Sequence, residues 1–411
     1  MLSRYLVFSL ILLFASHMAA GSDSLFGKVM CGYQGWFATP GDGSKLGWVH
    51  YGFDRPGQCH IDLWPDVSEL TPEERFETPL KHADGRTAQV FSSAHPKTVQ
   101  RHFEWMREHG IDGVFLQRFG TVLKDERYRM HHDQVLQNVR KGAAAAGRTW
   151  CVMYDLTGLQ AGDIERVIMQ DWKRLRTELR ILEDPSYQRH AGKPVVAVWG
   201  VGFSDERQYS LEESHKLLKF LHDNPEFGGL SVMAGVPWQW RTLDGDATSD
   251  AKFHQVLQQA DIISPWAVGR YGFPEDAEAQ IRRVHEADAE WCRRQGKDYL
   301  PVIFPGFSWA NLMKMRGQQA KLNAFPRLGG QFLWDQARLR IAGGSTMLYV
   351  AMFDEMDEGT AIFKTTSDAP VGTEGFVTEP RLPSDHYLWL TGQIGRALRK
   401  EIPLSKELPE R

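Results

Sequence analysis

The segment MLYVAMFDEMDEGT, residues 347–360, runs an unbroken apolar stretch straight into four acids within five positions. Its first half, 347–353, is short and apolar at every position, the pattern of a strand buried on both faces in a parallel sheet. Upstream, runs of the same kind recur at 29–37, 113–119, 150–155, 195–201, 230–238, 262–268 and 300–307. Amphipathic stretches fall between them. In 96–109, Val99, His102, Phe103 and Met106 share one helical face and Gly110 closes the segment. Further helices are expected at 131–146, 161–182, 211–222, 251–259, 275–295, 325–342 and, closing the chain, near 386–398. Eight strands, each followed by a helix, predict an α/β protein of the (β/α)8 TIM-barrel type. A doubly wound open sheet is the alternative, but no Gly-rich phosphate turn follows an early strand. One domain is expected over 22–411, with a long insertion at about 38–94 between the first strand and the first helix. That insertion is too long for a structureless loop and is expected to pack over the barrel mouth.

The N-terminus reads differently. A basic start at 1–4, an apolar run at 5–14 and small residues from Ala19 to Ser22 predict a signal peptide over 1–21. The apolar run is shorter than the ~20 residues a membrane span needs, and no later stretch is apolar enough. The expected location is therefore secreted or periplasmic, with no membrane contact after leader removal. A net charge of -4, with Lys and Arg dispersed along the chain, argues against a nucleic-acid partner. Cys31, Cys59, Cys151 and Cys292 show no CxxC or Cys/His metal spacing. Cys31 and Cys151 sit inside strand-like runs and are expected as buried free thiols. No cofactor or metal is implied.

In a barrel of this type the active site lies where the strands end at their C-terminal face. The strand ends nominate Tyr33, Gln34, Trp36, Gln117, Arg118, Tyr154, Asp155, Trp199, Trp238, Trp309, Asp354 and Asp357 as substrate-binding, with Glu355 and Glu358 as the catalytic candidates. Aromatic rings stack on sugar rings and amides or charges bond their hydroxyls, so the set suits a carbohydrate; 14 Trp residues fit that reading. Structural alternatives stand beside it: an ion pair for Arg118, a helix cap for Asp155, core packing for the tryptophans. The acidic run itself could be a solvated loop or a Ca2+ site, although EF-hand spacing is absent. Its place at the end of the last strand favours catalysis, because close carboxylates raise one another's pKa and so separate a proton donor from a base. Glycoside cleavage uses such a pair.

The Glu355-x-x-Glu358-Gly359-Thr360 motif resembles the Glu-x-x-Glu-Gly-Thr signature of glycoside hydrolase family 99, the endo-α-mannosidases and endo-α-mannanases. The Cys31-Gly-Tyr-Gln-Gly-Trp36 run, the 111–118 strand and Trp64-Pro65 resemble a broader bacterial 71/99-like group, sometimes labelled xylosidase/arabinosidase. Met356 and Asp357 depart from the family, which typically has an aromatic residue and His there. The resemblance implies Glu358 as the acid that protonates the leaving oxygen and later activates water, and Glu355 as the base. It implies that the base acts on the sugar's own 2-hydroxyl, with net retention. From the residues alone, a direct carboxylate nucleophile fits equally well. A non-catalytic carbohydrate-binding protein on a degenerate barrel, or a metal-dependent hydrolase, are the other classes to weigh.

Overall fold

A computed structural model describes residues 23–411 apart from 56–57 and 372–374; the leader expected at 1–21 lies outside the described residues. Eight parallel strands form the centre: β1 (Val29–Tyr33), β2 (Gly113–Phe119), β3 (Thr149–Asp155), β4 (Lys193–Trp199), β5 (Ser231–Val236), β6 (Ile262–Pro265), β7 in two pieces (Asp298–Tyr299 and Val302–Ile303) and β8 (Leu348–Val350). Each strand pairs with its sequence neighbour, and β1 pairs with both β2 and β8. The ring closes through β7. Asp298 and Tyr299 pair with β6, whereas Val302 and Ile303 pair with β8. The changeover lies at Leu300–Pro301: Leu300 donates its N–H to Ile263 (3.0 Å), and the Pro301 carbonyl accepts from Tyr349 (3.1 Å). Proline has no N–H to offer, so a break in the ladder costs least there.

The surrounding helices are α1 (Pro96–His109), α2 (Glu126–Ala146), α3 (Gln170–Thr177), α4 (Leu211–Asp223), α5 (Lys252–Leu257), α6 (Pro274–Arg294), α7 (Ala310–Met315), α8 (Gln331–Ala342) and α9 (His386–Leu398). A π-helical stretch, Ile164–Met169, leads into α3. Local chemistry sets their ends. Pro96 opens α1, Gly110 closes it in the left-handed region (φ 75°), and the Asp125 side chain caps α2 by accepting from Arg127 N–H. Among the described residues no helix is long and apolar enough to cross a membrane. Cys31 and Cys151 are buried free thiols, pushed above the usual thiol range by burial.

The insertion is structured. It holds an antiparallel pair, Phe76–Lys81 with Thr87–Val90, and the two-residue strand Trp64–Pro65, which pairs with Thr365–Thr366. Phe37, Tyr51, Phe53 and Phe91 give it an aromatic core, with Tyr51 donating to the Phe91 carbonyl (2.7 Å). Asp62 then ties it to the barrel. Its carboxylate accepts from Ser308 Oγ (2.5 Å), Ala310 N–H (2.7 Å) and Asn311 N–H (2.9 Å), and its own N–H donates to the Met356 carbonyl (3.0 Å). One buried side chain thus fixes the start of α7 against the acidic loop after β8.

Candidate active site

The acidic run leaves the sheet at once. After β8 the Ala351–Met352 peptide is cis, and residues 353–360 fold into a closed loop. Met352 N–H donates to the Thr360 carbonyl (3.2 Å), while Thr360 and Ala361 N–H groups donate to the Glu355 carbonyl (3.1 and 3.0 Å). Gly359 completes the turn at φ 63°, and a Cβ there would sit 2.8 Å from Ser308 N. That close approach lets Ser308 N–H donate to the Glu358 carbonyl (2.9 Å), which sets where the Glu358 side chain starts.

The loop presents three carboxylates to one cavity of about 460 Å³ at the C-terminal mouth of the barrel: Glu355, Asp357 and Glu358. Glu355 is buried, and both its oxygens are held. Oε1 accepts from the Gln34 amide and Oε2 from the Thr360 hydroxyl (2.5 Å). Glu358 is partly exposed, and no side-chain hydrogen bond holds its carboxyl among the described residues. Burial, then the Glu358 and Asp357 charges, lift Glu355 well above the usual glutamate range despite its two donors. Burial, then Asp357, push Glu358 up to about 7, with Arg316 at the end of α7 opposing and Asp155 adding to the rise. A carboxyl near 7 can hold a proton and release it at neutral pH.

Of the other residues expected here, Gln34, Trp36, Gln117, Asp155 and Trp199 line the same cavity. Asp155 also accepts from Thr157 N–H (2.7 Å), so it organises its own turn while facing inward. Trp36 stacks on His50 (3.7 Å between centroids, 7°) and on Phe119 (5.0 Å), which leaves its N–H edge rather than its face for contacts. Among the described residues, Gln34 Oε1, Trp36 Nε1, Gln117 Oε1, Trp199 Nε1 and Asp357 Oδ1 are buried with no hydrogen-bond partner.

Six expectations are corrected. Tyr33 is fully buried and turns outward, its hydroxyl 2.9 Å from His102 Nδ1 on α1. Arg118 and Tyr154 lie side by side in register and also point outward, both bonding Asp171 on α3 (2.6 to 2.8 Å). Asp354 is fully buried and reaches back to accept from the N–H groups of Gln34 (2.7 Å) and Gly35 (2.9 Å), so it anchors the end of β1 instead of touching a ligand. Trp238 is buried against Tyr271 and lies beside a separate cavity with Arg241 and Asp288. Trp309 packs on Phe307 (5.1 Å) outside the cavity lining.

The cavity also holds residues that the strand ends did not nominate: His50 from the insertion, Phe119, Tyr128, His131 and His132 from β2–α2, and Arg316. The helix expected from residue 131 starts earlier and carries His131 and His132 within it. Because α2 begins at Glu126, they lie more than a turn inside it and face the mouth. Strict alternation along β2 after Gln117 would have found Phe119; no local pattern marks His50 or Arg316. Among the described residues, no group of three or more His, Cys, Asp or Glu is arranged to hold a metal.

No family model matches the sequence, and no curated protein does. Among solved structures, the chain is similar to the family 99 endo-alpha-mannosidase from Bacteroides thetaiotaomicron, at 14% identity and a TM-score of 0.65. The match covers 92% of this chain and 99% of that one. A glycoside hydrolase-like protein matches at 12% identity and a TM-score of 0.55, over 95% and 96% of the two chains. At such low identity the likeness is one of fold, a (β/α)8 barrel.

Proposed function

We propose that the protein is an exported retaining glycoside hydrolase acting on an oligo- or polysaccharide. One observation carries this reading: Glu355 and Glu358 line one barrel-mouth cavity, and both are raised above the usual glutamate range by burial and neighbouring carboxylates. The two are held differently, and the difference suits two roles. Glu358, partly exposed and free of side-chain bonds, protonates the departing glycosidic oxygen and then takes a proton from the incoming water. Glu355, clamped by Gln34 and Thr360, works from a fixed position as the partner base or nucleophile in the state where the one proton that the two carboxyls share sits on Glu358. Retention follows whether Glu355 attacks the anomeric carbon itself or draws the proton from the sugar's 2-hydroxyl. The unpartnered N–H and carbonyl groups in the cavity wall supply hydrogen bonds for a polyhydroxylated guest. Export rests on the leader at 1–21. Fold likeness to an endo-α-mannosidase makes α-mannosides the first glycans to try.

Product analysis across a glycan library tests the proposal, with the wild type and Glu358→Gln run in parallel. Cleavage by the wild type and a loss of about 10²–10⁴ in the variant, with glycan binding retained, is expected. Binding without turnover by the wild type would mark a carbohydrate-binding protein instead. Loss of activity on adding a chelator would favour a metal-dependent hydrolase.

A further inference from the structure

The third carboxylate of the cavity helps to raise its two neighbours but makes no contact with substrate in that scheme, and it is one of the two residues at which the chain departs from the motif it resembles. Asp357 is almost fully buried, and its Oδ2 lies 2.8 Å from Nδ1 of His50. His50 comes from the insertion, some 300 positions away in sequence, and has a left-handed backbone (φ 61°), uncommon outside glycine. Two different constraints meet on its imidazole. The Trp36 indole fixes the plane of the ring by stacking at 3.7 Å and 7°, and the Asp357 carboxylate fixes its rotation within that plane. In the tautomer whose Nδ1–H donates to Asp357, the ring's lone pair lies on Nε2. The His50 side chain is 34% exposed, on a wall it shares with Glu355 and Glu358, whereas the Asp357 side chain behind it is 3% exposed. The carboxylate is thus the hidden half of the pair and the imidazole the accessible half.

Resting on the glycosidase reading above, we propose that His50, positioned by Asp357 and Trp36, binds substrate. Its Nε2 accepts a hydrogen bond from one hydroxyl of the sugar in the cavity, so the site selects glycans that carry a free hydroxyl at that ring position. His50 is the group that touches the sugar, and Asp357 is a positioning residue acting through it. A merely structural latch between the insertion and the acidic loop would use the same bond but would be indifferent to the sugar's substitution pattern. That difference makes the proposal testable.

The full-length protein is assayed on the oligosaccharide it cleaves best and on that oligosaccharide's monodeoxy and mono-O-methyl forms. Each is run with wild type, His50→Ala, His50→Gln and Asp357→Ala, after circular dichroism and melting show that each variant folds. For one ring position, the wild type is expected to lose roughly tenfold or more in kcat/KM when the hydroxyl is removed. His50→Ala should lose a similar factor on the parent glycan, mostly in KM, and then less than about threefold more on that deoxy form. Such non-additivity is the mark of two groups in contact. His50→Gln, whose amide oxygen can accept the same bond, should recover most of the loss, and Asp357→Ala should blunt discrimination at the same position. Losses that simply multiply at every position, or a His50→Ala enzyme as active and selective as wild type, would overturn the proposal while leaving the hydrolase intact. A wild type that cleaves no glycan would remove the hydrolase reading and this one with it.

Discussion

Two charged clusters stand at strand ends of this barrel, one after β8 and one after β2 and β3, and they are built on opposite rules. Behind β2, Arg118 is fully buried, but it meets Asp171 at 2.6 Å and Asp133 at 3.2 Å, and Arg174 joins both acids. Opposite charges lie together there, so Asp171 is held below the usual carboxylate range, Arg118 and Tyr154 assisting, although burial pushes the other way. After β8 the acids have mainly one another. Glu355, Glu358 and Asp354 are all raised, burial being the largest cause in each. The first arrangement is balanced and points to the helices; the second is unbalanced and opens, through Glu355, Asp357 and Glu358, onto a cavity. Balanced charge serves architecture, whereas a cluster that keeps protons at neutral pH is equipped for proton transfer.

The sharpest way to break this contrast is to remove Arg118. Arg118→Met leaves buried Asp171 with only Arg174 and Tyr154 and should cost about 3–5 kcal/mol of stability in denaturant unfolding, while turnover per folded molecule stays within a few-fold. Asp354→Ala comes next. It deprives two buried N–H groups of their acceptor at the end of β1, so about 3 kcal/mol should be lost, and activity with it, because Gln34 then releases Glu355. Gly359→Ala, which forces a left-handed alanine against Ser308, should cost about 2 kcal/mol and lower kcat.

The smallest effect separates the clusters by pH. Glu358 titrates at about 7 in the fold and near 4.5 once unfolded. Its contribution to stability is therefore full below about pH 4.5 and is lost as pH rises through 7. The unfolding free energy of Glu358→Gln should gain on that of the wild type between pH 5 and 8, by about 1–2 kcal/mol after allowance for partial exposure. Asp171 has the opposite sign. Its contribution is present above the ordinary carboxylate range and lost on acidification, so the Arg118→Met deficit should shrink toward low pH.

Much of the barrel could be read from the chain because its strands are apolar on both faces and its helices carry strong end signals. β2, α1 and α9 fall on the expected residues. Several other strands end sooner than expected. The apolar pattern runs on past Tyr33 and Val350, but there the backbone turns its hydrogen bonds to the Asp354 carboxylate and to the acidic loop. Three of the misplaced site residues, Tyr33, Arg118 and Tyr154, share one cause, whereas Asp354, Trp238 and Trp309 lie beyond the strand ends. Side chains alternate along a strand, so Gln117 faces the mouth and Arg118 the helices, Asp155 the mouth and Tyr154 the helices. Register decides this parity, and choosing every residue at a strand end ignores it. His50 and Arg316 escaped for another reason. They reach the cavity from an irregular insertion and a six-residue helix, α7, whose place is set by Asp62 far along the chain.

The central claim is that Glu358 transfers the proton on which glycosidic cleavage depends. It is tested most directly by comparing kcat/KM, which reports only the steps through departure of the leaving group, for wild type and Glu358→Gln on two glycosides of the same sugar, one with an alkyl or sugar leaving group and one with dinitrophenolate. Dinitrophenolate departs without protonation, so the variant should fall by about 10²–10⁴ on the first substrate and by less than about tenfold on cleavage of the second. Equal losses on both, or full activity on the unactivated glycoside, would contradict the account.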